Sequence, residues 1–379
     1  MYSLLDRIPS LPRNCERACH TVTPKARNLN APERPKQPSE GRAVFHAGDI
    51  YRSRNAPRPF SGGVFLYRMK YIYRHLILTV LVFLPAILTG VPCSASEERV
   101  LIDQAGREVT VPGYPERIVS LAPNITEILF AMNAGDRVVG VTVYSDYPKE
   151  AASIPVVGTY ITPNLEAIVA LKPDLVIATA DGDKKEALAI LETFGIPVYV
   201  INPKGIDAVI DTVVEIGGLV GEEATARGVA DEMSRVVRDV EGSVKDLDPV
   251  SVLMVLDVEP VITIGTEAFP HELICRAGGV NAAGAQRIRY PRISLEAVIV
   301  SAPEVIIIPT MSFESDTDRA VAFFTAYPTI PAVMHERIHV IEADLVTRPG
   351  PRIVYGLREI AAVLHPEAFG DTTDDDPGT

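Results

Sequence analysis

The chain has 379 residues, 47% of them apolar and 6% aromatic, with no tryptophan, which makes two globular domains the expectation at this length. Its formal charge of −13 is uneven: residues 1–68 hold twelve Lys/Arg against five Asp/Glu, residues 69–95 add two more positive charges, and residues 96–379 are left with about −22. A body this acidic argues against nucleic acid and anionic lipid as partners, because both need basic surfaces.

Residues 1–68 are rich in Arg, Pro, Asn and Ser without a sustained period, the composition of a disordered segment or of a misassigned extension. Met69 then opens a secretory pattern over 69–95: Lys70 and Arg74, an apolar run from Leu76 to Leu88, and small residues through Cys93-Ser-Ala95. The apolar run is too short for an ordinary spanning helix. Cleavage is expected after Ala95, with a lipid anchor at Cys93 as the alternative despite Pro92 before it. Either route exports the product. The exported body keeps Cys275, plus Cys93 if that residue is lipidated, so no disulfide framework or Cys metal spacing is available.

Along the body, residues 99–111 predict a hairpin, two alternating runs about a Gly-containing turn. Strands are predicted at Arg117–Leu121 and Arg137–Thr142, with a helix from Pro123 to about Asn133 between them. A loop carrying Tyr144-Ser-Asp-Tyr-Pro148 follows. Asn164–Ile177 predicts a helix and a buried strand, Asp183–Phe194 a helix and Pro197–Ile201 a strand. From Ile206 the pattern is helical, broken at Gly217-Gly218 and Gly221. Residues 222–247 then predict one long helix without a close partner run, connecting an N-terminal lobe (96–221) to a C-terminal lobe (248–369).

The second lobe opens with strands at Val250–Leu256 and Val261–Ile264, then a helix over Phe269–Ala277 capped by Gly278-Gly279. Arg287–Arg292 is a basic loop that includes Tyr290. Further predicted elements are a strand at Val305–Pro309, helices at Asp316–Phe324 and Pro351–Leu364, and a strand at Ile338–Ile341. An acidic tail (370–379) is expected to be disordered. Short apolar strands alternating with helices indicate an α/β fold: two Rossmann-like lobes with parallel sheets, joined by one long α-helix.

The two lobes share a repeat. Asn164-Leu-Glu-Ala-Ile-Val-Ala-Leu-Lys-Pro-Asp-Leu-Val-Ile177 returns as Ser294-Leu-Glu-Ala-Val-Ile-Val-Ser-Ala-Pro-Glu-Val-Ile-Ile307, with five of fourteen positions identical. The plain alternative is that aliphatic αβ units resemble one another; a structural duplication is the sharper reading. Each copy places a carboxylate, Glu166 or Glu296, in the first turn of its helix. A first-turn Glu is good helix chemistry by itself. Two matched acidic points on matched lobes also suit a binder that docks onto a two-fold symmetric partner.

Several chemistries find no support. His335 and His339 have i, i+4 spacing, but Ile338 and Val340 put His339 at a strand start, so no metal site is expected. Gly217-Gly-Leu-Val-Gly221 does not follow a strand and fails as a nucleotide fingerprint. No hydrolase elbow is present, and no cofactor is expected.

Arg117-Ile-Val-Ser-Leu-Ala-Pro-Asn-Ile-Thr-Glu127, Gly140-Val-Thr-Val-Tyr-Ser-Asp-Tyr-Pro148, the two repeat copies, Ala277-Gly-Gly-Val-Asn281 and Arg348-Pro-Gly-Pro-Arg-Ile353 are shared motifs. Through them residues 98–369 resemble the single-helix-linked periplasmic binding proteins of cobalamin and ferric-siderophore ABC importers, nearest to the cobalamin-binding members. The resemblance implies a monomeric periplasmic binder, not an enzyme, that captures a corrinoid between its lobes and delivers it to a permease dimer with its ATPase subunits. A ferric siderophore or haem is the alternative ligand. A chelatase-like enzyme is a more distant alternative that the lack of nucleotide and cluster motifs opposes.

By the same resemblance Tyr144 corresponds to a corrinoid-contacting Tyr, Tyr160 and Tyr290 to positions that carry Trp in the cobalamin binder, and Asp344 to a cleft-lining Asp. Ordinary loop packing is the other reading of each Tyr. Glu166 and Glu296 correspond to the glutamates that meet the permease. Arg287, Arg289 and Arg292 suit an anionic chelate, or form a solvated loop. Arg348 fits both ligand classes, or a structural role ahead of the last helix.

Overall fold

A computed structural model describes residues 98–180, 185–310 and 314–370, all within one compact unit, Gly90–Thr379. The N-terminal extension, the secretory pattern with Cys93, and the acidic tail from Asp371 lie outside the described residues.

Strands β1 (Glu98–Ile102) and β2 (Glu108–Pro112) form the expected antiparallel hairpin, with Val100 opposite Thr110. Its turn is held by Asp103, whose Oδ1 accepts from the Ala105 and Arg107 amides at 3.0 and 2.9 Å. The Gln104 amide donates to the Val200 carbonyl at 3.0 Å, tying the hairpin to the edge of the first sheet.

That sheet comprises β3 (Ile118–Ser120), β4 (Val138–Gly140), β5 (Leu175–Thr179) and β6 (Val198–Ile201), all parallel in the order β4-β3-β5-β6. Its strands read as continuous apolar runs because both faces are covered. Helices α1 (Pro123–Ala131), α2 (Leu165–Ala170) and α3 (Lys185–Thr193) connect them.

The second sheet holds β7 (Val250–Val258), β8 (Val261–Thr263), β9 (Gly279–Asn281), β10 (Val305–Pro309) and β11 (Ile338–Ile341). β9, β7, β10 and β11 are parallel in that order, and β8 folds back antiparallel on the far half of β7. The local pattern predicts a helix cap alone at Gly278-Gly279. It misses β9, which is three residues long and starts on a glycine.

Numbered from its own first strand, each lobe therefore has the same spatial order, with β3, β4, β5 and β6 matching β7, β9, β10 and β11. The repeat copies fall on equivalent places, α2 with β5 and α7 (Leu295–Ser301) with β10. Their caps agree: the Asn164 side chain accepts from the Ala167 amide at 3.1 Å, and Ser294 Oγ from the Ala297 amide at 3.2 Å.

Two expectations about the connector need correcting. Helix α4 (Ile206–Val220) runs straight through Gly217-Gly218 and ends only at Gly221, which takes a left-handed conformation with φ of 77°. Gly217 is there for packing, since a Cβ on it would stand 2.1 Å from the Ala226 Cβ on the next helix. That helix, α5 (Glu223–Val244), is shorter than the predicted 222–247 and is not a bare link. At 1.5 Å per residue its 22 residues span roughly 33 Å. It buries Ala226, Ala230, Met233, Val237, Val240 and Val244 along one face. Burying side chains of Val or Met size is worth about 1.5–3 kcal/mol each.

Three apolar clusters result. One lies on the outer face of each sheet. The third runs from Ile118 and Leu175 of the first lobe through Met233 and Val240 of α5 to Val252, Ile307 and Leu357 of the second. Helices α6 (Phe269–Arg276), α8 (Glu314–Thr325), α9 (Pro331–Met334), α10 (Ala343–Thr347), α11 (Ile353–Leu364) and α12 (Pro366–Phe369) complete the second lobe.

Candidate functional site

In open α/β sheets ligands gather beyond the carboxyl ends of the strands. In the first lobe the segments there include Leu121–Pro123 after β3 and Val141–Pro148 after β4. In the second they include Glu342–Arg352 after β11.

Buried hydroxyls anchor Ser145 on the inner side of the 142–148 loop. Thr126 Oγ1 donates to Ser145 Oγ at 3.0 Å, Thr142 Oγ1 and Ser145 Oγ lie 3.0 Å apart, and Ser120 Oγ is 2.8 Å from Thr126 Oγ1. The Val143 amide donates to the Gly158 carbonyl at 3.0 Å, which brings this loop beside the 158–163 turn. Tyr144 and Tyr160 consequently meet edge to face, centroids 5.9 Å apart at 61°. Tyr144 remains half exposed.

An ionic seam joins the lobes beside this pair. Arg352 forks onto the buried Glu127 of α1, with Nε to Oε2 at 3.0 Å and Nη2 to Oε1 at 2.8 Å. Arg348 reaches Asp146 at 2.7 Å, Asp344 at 2.8 Å and Glu127 at 3.4 Å. The Arg352 guanidinium also covers the Tyr147 ring, 3.9 Å from its centroid. The Asn124 side chain donates to the Pro349 carbonyl at 3.3 Å.

Protonation follows this geometry. Burial raises the Asp146 carboxyl, but the hydrogen bond and charge of Arg348, with Arg352 behind it, outweigh burial and hold it below its ordinary range. Asp344 moves the other way. Burial raises it, and Asp146 and Glu342 add repulsion, while Arg348 and Arg352 offset these only in part because several carboxylates share them.

A second seam lies at α6. Glu272 accepts from the Ile206 amide at 3.3 Å, and Arg276 binds Asp207 at 2.9 Å through Nη1 and lies 3.0 Å from Glu272.

Tyr290 and Arg289 sit on a different loop, strapped to β8 and the residues after it. Thr263 and Gly265 donate their amides to the Pro291 and Arg289 carbonyls at 3.1 and 2.9 Å. Tyr290, Arg287, Arg289 and Arg292 are exposed there. Thus the structure joins Tyr144 to Tyr160 and places Asp344 in the adjoining seam, with Tyr290 and Arg289 on their own loop. Glu166 and Glu296 are both exposed in the first turns of α2 and α7. Hydrogen bonds from its own backbone amide and from Ser294 hold the Glu296 carboxyl below its ordinary range.

Sequence reasoning missed Glu127, Asp146 and Arg352. All three fall inside the quoted motifs, but their pairing across the chain has no local signal. A cavity of about 660 Å³ lies elsewhere, under the hairpin, lined by residues such as Glu108, Thr110, Asp174, Glu192 and Pro197. It has no aromatic lining and lacks the flat apolar area of the tyrosine pair. Among the described residues no group of His, Cys, Asp and Glu is arranged to hold a metal ion, and no helix is long and apolar enough to cross a membrane.

Two α/β layers with the same order of parallel strands, joined by one helix and bridged beside a partly exposed aromatic pair, define a two-lobed binding protein. The chain belongs to the periplasmic binding protein family, which it matches over residues 118–345. It is 30% identical over 257 residues to the vitamin B12-binding protein of Vibrio cholerae, covering 67% of this chain and 90% of that one. It is 32% identical over 274 residues to an uncharacterized ABC transporter substrate-binding lipoprotein, YvrC of Bacillus subtilis, covering 70% and 85%. Among solved structures, the periplasmic vitamin B12-binding protein BtuF of Vibrio cholerae superposes with a TM-score of 0.60 at 30% identity, covering 68% of this chain and 99% of that one. The apo heme-binding protein RhuT of Roseiflexus sp. RS-1 gives 0.60 at 25% identity, covering 67% and 99%. The chain is therefore a substrate-binding protein of the ABC transporter type and not an enzyme.

Proposed function

We propose that the protein captures a corrinoid between its lobes and delivers it to a membrane permease. The observation that carries this is the Tyr144–Tyr160 pair beside the seam, with the Tyr144 ring half exposed. Aromatic edges and faces bury much area of a flat macrocycle at small entropy cost. The vitamin B12-binding relatives support the ligand class. Charge supports it as well. Arg348 and Arg352 already serve four carboxylates, Glu127, Asp146, Glu342 and Asp344. The seam thus has a surplus of negative charge and repels an anionic chelate. Tyr290, Arg289 and Asp344 would complete the pocket from the second lobe. Glu166 and Glu296 would meet the permease.

Calorimetric titration of the purified protein with cyanocobalamin tests the reading. One-to-one binding lost in Tyr144→Ala supports it; no heat with cyanocobalamin but a response to haemin or a ferric siderophore overturns it. The latter outcome would favour the second reading, an anionic iron ligand held by the exposed Arg287–Arg292 loop, for which the heme-binding relative speaks. We further propose that residues 69–95 direct export, with Cys93 the residue to carry a lipid if the protein is anchored as its Bacillus relative's name describes. Intact mass of the secreted product distinguishes a start after Ala95 from a lipidated Cys93.

A further inference from the structure

Three consecutive side chains of the 142–148 loop are held in three directions. Ser145 points inward, to the buried hydroxyls of Thr126 and Thr142. Asp146 crosses to Arg348 of the other lobe at 2.7 Å. Tyr147 lies under the Arg352 guanidinium, itself forked onto the buried Glu127. Tyr144, the residue before them, is the one turned to Tyr160.

We infer that Asp146, Arg352 and Glu127 are positioning residues: the second lobe sets the 142–148 loop, and with it the Tyr144 ring, before any ligand arrives. The reasoning is physical. A loop closing on one sheet is mobile unless its side chains are tied down, and ordering it at the moment of binding costs affinity. Here the ties run to a rigid partner. Arg352 and Glu127 are both largely buried, so their bidentate contact is little screened. Arg348 and Arg352 flank the short Pro349-Gly-Pro351 segment, which limits how far either can shift alone. The Asp146–Arg348 arm has an exposed carboxylate and is the salt-sensitive one.

The consequence for ligand affinity rests on the corrinoid reading, whereas the positioning itself can be measured without ligand. The experiment uses the purified protein as wild type, Asp146→Asn, Asp146→Glu and the double variant Glu127→Gln/Arg352→Gln. Amide hydrogen exchange is followed in residues 142–148, with β6 as the internal control, at low and at high salt. Cyanocobalamin binding is titrated in parallel. Asp146→Asn is expected to speed exchange of 142–148 about tenfold and leave β6 unchanged. Asp146→Glu should restore part of the protection. High salt should speed the loop in wild type and add little in Asp146→Asn. Cyanocobalamin affinity should fall about three- to tenfold in Asp146→Asn.

Unchanged loop exchange in both Asp146→Asn and the double variant would overturn the inference. If the double variant does not fold, the Asp146 pair and the salt series decide alone. If wild type ignores cyanocobalamin, the corrinoid reading fails, and the exchange data still decide the positioning.

Discussion

Lys172 and Ala302 occupy the same left-handed backbone region, with φ of 49° and 45°. Each ends the helix of its repeat copy, directly before Pro173 or Pro303. Neither is the glycine that such a C-cap favours. The duplication therefore extends from sequence to strand order and to a backbone conformation that aliphatic similarity alone does not require. It also yields a test. Ala302→Gly removes the steric cost of a left-handed Cβ while adding unfolded-state entropy, and a net gain of about 0.5–1 kcal/mol is expected. Denaturant unfolding measures it, and a loss of stability would show that the cap is not strained.

Glu166→Ala combined with Glu296→Ala should leave ligand affinity within twofold and abolish stimulation of the permease ATPase. Both carboxylates are exposed first-turn groups, so their removal takes away only a solvent-screened helix-dipole interaction and leaves the fold intact. Ligand titration and reconstituted ATPase activity separate the two effects. Weakened ligand binding with normal stimulation would contradict the docking role.

Tyr144→Ala should weaken cyanocobalamin binding by tenfold or more, about 1.4 kcal/mol, with Tyr144→Phe close to wild type because the ring supplies the contact. Equal losses in the two variants would assign the effect to the hydroxyl.

Gly217→Ala and Gly218→Ala should act in opposite directions although they are neighbours. A Cβ at 217 collides with Ala226 and should cost about 1–3 kcal/mol by overpacking α4 against α5. A Cβ at 218 meets nothing within 4 Å, so the better helix former should gain about 0.5–1 kcal/mol. Two thermal unfolding curves suffice.

The two aspartates of the seam predict opposite pH behaviour. Asp146, depressed by Arg348, contributes stability present above its unfolded pKa and lost as pH falls through its folded pKa. Asp344, raised by burial, favours the fold when protonated; that contribution is complete below its unfolded pKa and is lost as pH rises through its folded one. At neutral pH Asp344→Asn should therefore be neutral or stabilising and Asp146→Asn mildly destabilising, the latter kept small by solvent screening. Thermal melts between neutral and acidic pH check both signs.

Much of this molecule was legible in local pattern. Buried parallel strands read as apolar runs, caps as Asn164 and Ser294, and the duplication as a repeat. The failures share a cause. Gly217-Gly218 looks like a break until Ala226 is seen against it. β9 is too short and glycine-bearing to show a period. The linker helix reads as unpartnered along the chain because its partners come from both lobes. The Glu127–Arg352 pair links residues more than 200 positions apart, where no window along the chain can register it. Tyr144 and Tyr160 are named by resemblance; their contact depends on backbone hydrogen bonds between the segments that carry them, such as Val143 to Gly158 and Val157 to Val141.

The apolar cluster that passes through α5 bears on how the protein comes apart. Met233 and Val240 of that helix belong to the same apolar cluster as Ile118 of one lobe and Val252 of the other, so displacing α5 would open the cluster to water on both sides. Neither lobe could then keep its inner surface dry. The lobes should accordingly melt together, in a single calorimetric peak whose van't Hoff and measured enthalpies agree. A molecule two-lobed in outline is thus expected to unfold as one cooperative unit.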